Sequence, residues 1–153
     1  MITNNEPYLI EYNVRMGDPE CQTIMTLLET DLVNIIEATI AGKITDLEIS
    51  WKKEKSMCIV LCSKGYPNTY KKNIEIDKID NLILDKKSLV FHAGTYEKNG
   101  KIYSNGGRVL NFVTLSNSLL EARKKGSSLI KKLNWNNGFF RKDIGWKSII
   151  NNK

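Results

Sequence analysis

The chain has 153 residues, 41% of them hydrophobic and 26% charged, enough for one domain or two small pieces to bury a core. No apolar run approaches a membrane span, and Met1-Ile2-Thr3-Asn4-Asn5-Glu6 lacks the basic and apolar regions of a signal peptide, so the cytoplasm is expected and no membrane partner. The net charge of +6, from 23 basic and 17 acidic residues, favours anionic partners, but scattered lysine pairs such as Lys71-Lys72 and Lys124-Lys125 have the pattern of a solvated surface, so nucleic acid is not expected.

The first element is an alternating segment, Tyr8 to Arg15. As a strand it sends Tyr8, Ile10, Tyr12 and Val14 to one face, a core face, and Glu11, Asn13 and Arg15 to the other. Gly17-Asp18-Pro19-Glu20 then reads as a tight turn feeding a helix, with Asp18 as cap, Pro19 at the first position and Glu20 in the first turn. A second helix is predicted from Asp31 to Ala41. Leu32, Ile35, Ile36, Thr39 and Ile40 form its stripe, Thr30 or Asp31 its cap and Gly42 its stop.

The character changes near Asp46, where a domain boundary is placed. Leu47 to Trp51 alternates, and Met57 to Cys62 is an apolar run of strand length broken by Gly65-Tyr66-Pro67-Asn68. Short strands are expected at Ile74–Ile76, Leu89–His92, Ile102–Ser104 and Arg108–Leu115, with an Asn-Gly hairpin at Lys98-Asn99-Gly100-Lys101. A helix follows from Ser118 to about Leu133, its stripe formed by Leu119, Ala122, Leu129, Ile130 and Leu133. Gly126 within it costs about 1 kcal/mol against alanine. The tail from Phe139 to Trp146 mixes aromatics with charge. The pattern is that of an α+β chain rich in antiparallel strands.

The three cysteines, Cys21, Cys58 and Cys62, form no CxxC pair. Cys58 and Cys62 are four apart, but a single histidine and no further cysteine pair make them structural thiols rather than a zinc site.

Glu11 and Asn13, two apart on one strand face, lie about 6.5 to 7 Å apart at Cα and can lean onto one ion. Magnesium takes oxygen ligands at about 2.0 to 2.1 Å and is commonly held by one or two carboxylates plus substrate phosphates, so a carboxylate and an amide oxygen make half a site. Arg15 can fork onto phosphate. From spacing alone, an exposed strand face with a surface Glu–Arg pair explains the same residues better. The GDPE turn reads either as an ordinary helix start or as an anion site at free N–H groups. Gly106-Gly107 reads as a turn, and His92 as a hydrogen-bonded structural histidine. Arg141-Lys142-Asp143 is a surface cluster or a phosphate contact. No role is assigned to His92, Asn105 or Arg141.

Five blocks, in order, carry a resemblance: Glu11 to Gln22 (EYNVRMGDPECQ), Gly65-Tyr66-Pro67, Phe91-His92-Ala93-Gly94-Thr95, Asn105 to Leu110 (NGGRVL), and Arg141 to Gly145 (RKDIG). Together they span nearly the whole chain, which resembles the C-terminal part of the phosphoribosylamine–glycine ligase family, ATP-grasp enzymes of purine biosynthesis. The resemblance implies residues 1–46 as the last strand and helices of an ATP-grasp domain, and 47–153 as a small antiparallel-strand-rich C-terminal domain with a packed helix. It implies ATP, glycine and 5-phosphoribosylamine as substrates, with glycyl phosphate as the intermediate. Glycinamide ribonucleotide, ADP and phosphate are the products. It implies Glu11 and Asn13 as ligands of Mg2+ or Mn2+. Arg15 is expected to meet phosphate, and Asp18 to help hold the amine substrate.

The departures matter as much. Met16 stands where the family has an aromatic, and Thr26-Leu27 replaces its Pro-Arg after Met25. The resembled family also uses an amino-terminal domain, a nucleotide lid, basic residues on the triphosphate and an upstream acidic metal ligand, none of which this sequence contains. The chain alone is therefore expected to be inactive: a truncated product, or half of a split enzyme assembling with a separately encoded N-terminal half. The competing expectation is a non-catalytic module that keeps the fold and binds nucleotides or RNA through its basic surface.

Overall fold

The computed structural model describes residues 1–151. Its centre is a four-stranded antiparallel sheet in the order β5 (Ser88–His92), β8 (Arg108–Ser116), β3 (Lys55–Ser63) and β9 (Gly138–Phe139). In the register of β3 with β8, Met57 faces Thr114, Ile59 faces Phe112 and Leu61 faces Leu110. Strand alternation sends these six side chains to one side and Cys58, Val60, Asn111 and Val113 to the other.

Helix α3 (Leu119–Leu133) covers the first side. Its buried residues Ala122, Gly126, Leu129, Ile130 and Leu133 recur every three or four positions and share a core with Ile59, Leu61, Leu110 and Phe112. Gly126 is there for space. A Cβ on it would stand 3.3 Å from both Ile59 Cδ1 and Thr114 Oγ1, so the cost of glycine in the helix is offset by closer packing on the sheet. Thr114 donates its hydroxyl to Ala122 O at 2.7 Å, which satisfies a buried polar group. Ser118 caps the helix by accepting from Glu121 N, and Asn134, in the left-handed region at φ 52°, ends it.

Helix α1 (Glu20–Leu27) lies against the second side, where Leu27 packs on Cys58, Val113 and Leu115. Thr26 is buried there and shares a 2.9 Å hydrogen bond with Ser56 Oγ. A smaller antiparallel sheet is ordered β4 (Ile74–Glu75), β7 (Lys101–Ser104), β6 (Thr95–Lys98). Its hairpin turns at Asn99-Gly100, both at positive φ, the signature the Asn-Gly pair predicts. Trp135 Nε1 donates to Glu75 O at 2.9 Å and so ties the residues after α3 to β4. The last element among the described residues is α4 (Trp146–Asn151). The α+β class and the antiparallel pairing match the sequence-based expectation.

Three expectations are corrected. Residues 8–15 form no strand. A two-residue ladder of β1 (Ile2–Thr3) with β2 (Glu6–Pro7) precedes them, Tyr8 N donates to Met1 O at 2.7 Å and Met1 N to Tyr8 O at 2.8 Å, and beyond Tyr8 the segment runs unpaired. The expected core face is in solvent: Tyr8, Ile10, Tyr12 and Val14 are 56 to 95% exposed. A strand needs a neighbour for its backbone groups, and among the described residues none pairs with this segment beyond Tyr8. Leu47–Trp51 is likewise no strand. Trp51 bridges Leu28, while Ser50 O accepts from Glu29 N at 3.0 Å, so this stretch straps down the end of α1. Finally, Pro19 precedes the first helical turn and Asp18 does not cap it, because its carboxylate is engaged elsewhere. The second helix forms as expected: in α2 (Leu32–Ile40), Asp31 accepts from Val33 N at 2.8 Å.

Candidate functional site

Residues 1–16 are all exposed, and within them the structure brings two of the predicted side chains together. Asn13 Nδ2 donates to Glu11 Oε1 at 3.1 Å, so the two side chains lie on the same side of the segment, as the alternation predicts. Arg15 does not join them; its Nη1 donates to Met16 O at 3.0 Å. The contact runs through the amide nitrogen; with the amide turned so that Oδ1 takes the place of Nδ2, the Glu11 carboxylate and the Asn13 oxygen are hard donors suited to a divalent cation and would supply two of its six ligands. The pair fits such an ion as part of a site. Among the described residues no cluster of three or more His, Cys, Asp and Glu side chains is placed to hold a metal.

Asp18 is where the N-terminal segment meets the central sheet. Arg108, at the start of β8, grips it twice: Nη1 donates to Asp18 O at 2.8 Å, and Nη2 pairs with Oδ2 at 3.1 Å. Gln22 Nε2 donates to Oδ1 at 3.0 Å from the first turn of α1, and Asn111 Nδ2 approaches the same oxygen at 3.5 Å. Asn111 is buried in the second face of the sheet, and its Oδ1, like Gln22 Oε1, is a buried acceptor without a partner. Polar atoms in that position normally find a donor, so the cluster has unused acceptor capacity beside Asp18. Cys58 lies on the same face. Burial pushes its thiol up to about 12, and the Asp18 carboxylate adds to the rise. Burial also raises the Cys62 thiol, against the opposing effect of Arg108.

The backbone leading to Arg108 is tightly built. Gly94 and Gly106 cross at van der Waals distance: a Cβ on Gly94 would lie 2.6 Å from Gly106 Cα and 2.6 Å from Arg108 O. A Cβ on Gly107 would enter the Tyr66 ring. Gly94 N donates to Arg108 O at 2.8 Å, and Ser63 Oγ donates to Gly106 O at 2.8 Å. A β-bulge at Leu61/Cys62 shifts the register so that Cys62 comes opposite Arg108. The HAGT, NGGR and GYP blocks, far apart in sequence, therefore meet at one end of the sheet. His92 Nδ1 shares a 2.8 Å hydrogen bond with Thr95 Oγ1, the structural reading expected for it. Arg141 forks onto Asp143 through Nε–Oδ1 at 3.0 Å and Nη2–Oδ2 at 2.7 Å, a local surface pair that holds the Asp143 carboxyl below its usual range.

Sequence reasoning placed Arg108 in a turn block without a role and passed over Asn111 and Gln22. One signal was present: Asn111 is the single amide inside the apolar run Val109-Leu110-Asn111-Phe112-Val113. A polar side chain at the centre of a buried strand demands a partner.

Comparison with known proteins bears on this arrangement. The family described as phosphoribosylglycinamide synthetase, C domain, matches residues 56–147. The chain is 45% identical over all 153 residues to a phosphoribosylamine–glycine ligase of Agrobacterium fabrum, covering 36% of that protein. It is 40% identical over 145 residues to the chloroplastic phosphoribosylamine–glycine ligase of Arabidopsis thaliana, covering 27% of it. The crystal structure of the Thermotoga maritima phosphoribosylamine–glycine ligase superposes with a TM-score of 0.76 at 34% identity, over 94% of this chain and 34% of that one. The chain thus spans about a third of the length of the curated relatives it matches.

Proposed function

The chain belongs to the phosphoribosylglycinamide synthetase family, and from that membership we propose that it is the C-terminal portion of an ATP-dependent ligase joining glycine to 5-phosphoribosylamine in purine biosynthesis. A glycine carboxylate oxygen takes the γ-phosphoryl group of ATP, releasing ADP. The amine nitrogen of phosphoribosylamine then attacks the acyl carbon of glycyl phosphate, and phosphate leaves with the bonding pair while the nitrogen gives up a proton. The product is glycinamide ribonucleotide. Residues 1–46 serve as the end of the ATP-grasp domain and residues 47–153 as the C-terminal domain, in the cytoplasm. Helix α1, although numbered with the first, packs on the sheet of the second.

In this reading the Glu11 carboxylate and the Asn13 amide oxygen hold Mg2+ or Mn2+. The ion supplies charge compensation for the nucleotide phosphates when bound. Arg15, released from Met16 O, meets a phosphate oxygen with its guanidinium. Asp18 helps hold the amine substrate, sharing its carboxylate with Arg108. The observation that carries the reading is the exposure of apolar side chains in two stretches of the first 46 residues. Ile10, Tyr12 and Val14 in one, and Leu32, Val33, Ile36 and Ile40 of α2 in the other, are all exposed, as suits segments that pack on the rest of an ATP-grasp domain, supplied in the same polypeptide or as a separate N-terminal half.

The test is a chimera. The part of the Agrobacterium ligase that this chain does not match is placed ahead of it, and ADP release is followed. Release that depends on both glycine and phosphoribosylamine is expected, with none from the chain alone. A folded chimera without it refutes the reading, and salt-sensitive RNA binding by the chain alone would then favour the binding module.

A further inference from the structure

Among the described residues, nothing before Gly17 is tied to the body of the protein by a hydrogen bond, and Gly17 itself is held only locally, its O accepting from Cys21 N at 2.8 Å. Residues 1–16 are all exposed, and the hydrogen bonds they make reach no further than seven residues along the chain. At Asp18 the span jumps to 90 residues for Arg108 and 93 for Asn111. The Asp18 turn is therefore the anchor from which the Glu11–Arg15 segment projects.

Four features set the anchor apart from a chance surface pair. Arg108 binds the main-chain oxygen and the side chain of the same residue, which fixes orientation as well as distance. The glycine crossing immediately before it leaves its backbone no lateral freedom. The bulge opposite it shifts the β3–β8 register at the end of the ladder, a local kink of the kind that re-aims a side chain. Lastly, Asn111 keeps a buried amide in an otherwise apolar face, and the partner it reaches is Asp18.

We propose that Arg108 is a positioning residue: its fork on Asp18 sets the direction in which the Glu11–Asn13 pair leaves the C-terminal sheet, and so where that pair meets its divalent cation and nucleotide. The inference rests on the ligase reading given above. Arg108 touches neither ion nor substrate in this role; it acts through Asp18 and the four residues between Asn13 and Asp18.

Two measurements test it. In the full chain, amide hydrogen exchange is compared among the unsubstituted protein, Arg108→Ala and Arg108→Lys. Faster exchange confined to residues 17–22 is expected for Arg108→Ala, with β3, β8 and α3 unchanged, and a smaller rise for Arg108→Lys, whose point charge cannot fork. In the chimera, Arg108→Ala should raise the Mn2+ concentration for half-maximal activity by about tenfold, in the range found when groups that orient metal ligands are lost, with the glycine KM little changed. Faster exchange with an unmoved Mn2+ requirement would reduce Arg108 to a structural tie and overturn the proposal. So would a moved Mn2+ requirement without faster exchange, or no change in either. An unsubstituted chimera that is folded and inactive removes the ligase reading, and this inference with it. A normal Mn2+ response in an active Arg108→Ala chimera removes the inference alone.

Discussion

Residues 8–46 and residues 55–133 carry similar apolar patterning and meet opposite fates. In the second region Met57, Ile59, Leu61, Leu110, Phe112 and Leu133 are buried between sheet and helix. In the first, α2 has no buried residue at all, and the alternating segment before α1 shows its apolar side chains to water. Amphipathic pattern specifies that a face is to be covered; it does not supply the cover. The second region contains its own partner elements. The first has only α1 seated, because α1 alone finds a sheet within reach.

The comparison can be broken most severely at the centre of the buried side. Phe112→Ala should destabilise the chain by about 3–5 kcal/mol, read as a lower urea midpoint. Gly126→Val, which pushes branched carbon towards Ile59 and Thr114, should cost about 1–3 kcal/mol. Ser118→Ala removes the α3 cap and should cost about 1 kcal/mol.

Acidification should act more gently. Lys125 holds Asp85, Lys87 holds Glu54 and Arg141 holds Asp143 below their ordinary values of 3.8, 4.5 and 3.8. Groups with depressed folded values stabilise above the ordinary value and lose that contribution as pH falls through the depressed one. The urea midpoint should therefore hold from neutral pH to about 5 and fall below that, with a smaller fall in high salt because these pairs are exposed. Smallest of all, Ile36→Ser in α2 should change the stability of the isolated chain by no more than about 0.5 kcal/mol. The same substitution should weaken the assembled ligase measurably, and equal effects in both settings would erase the distinction between the two regions.

What was legible in the sequence follows the same division. The apolar run at Met57–Cys62, the Asn-Gly turn and the Leu119–Leu133 stripe were readable because each pattern is satisfied by elements nearby. Asp31 as a cap was readable because capping is local. The strand expected at Tyr8–Arg15 was a sound reading of alternation, but pairing depends on a neighbour that the described residues do not provide. The contact of Glu11 with Asn13 followed from a two-residue period, whereas the grip of Arg108 on Asp18 joins residues 90 positions apart and leaves no periodic trace. Asp18 was expected to cap a helix; a guanidinium offering two donors in fixed geometry displaced that role.

The β6–β7 hairpin has a practical use as an attachment point. Its tip, Asn99-Gly100, is exposed, and a Cβ on Gly100 would meet nothing within 4 Å. Strand β6 is the outer strand of its sheet, so added chain at the tip would leave the ladder intact. A fluorophore or affinity tag placed between these two residues would report on assembly with an N-terminal half while leaving both termini of the chain unaltered.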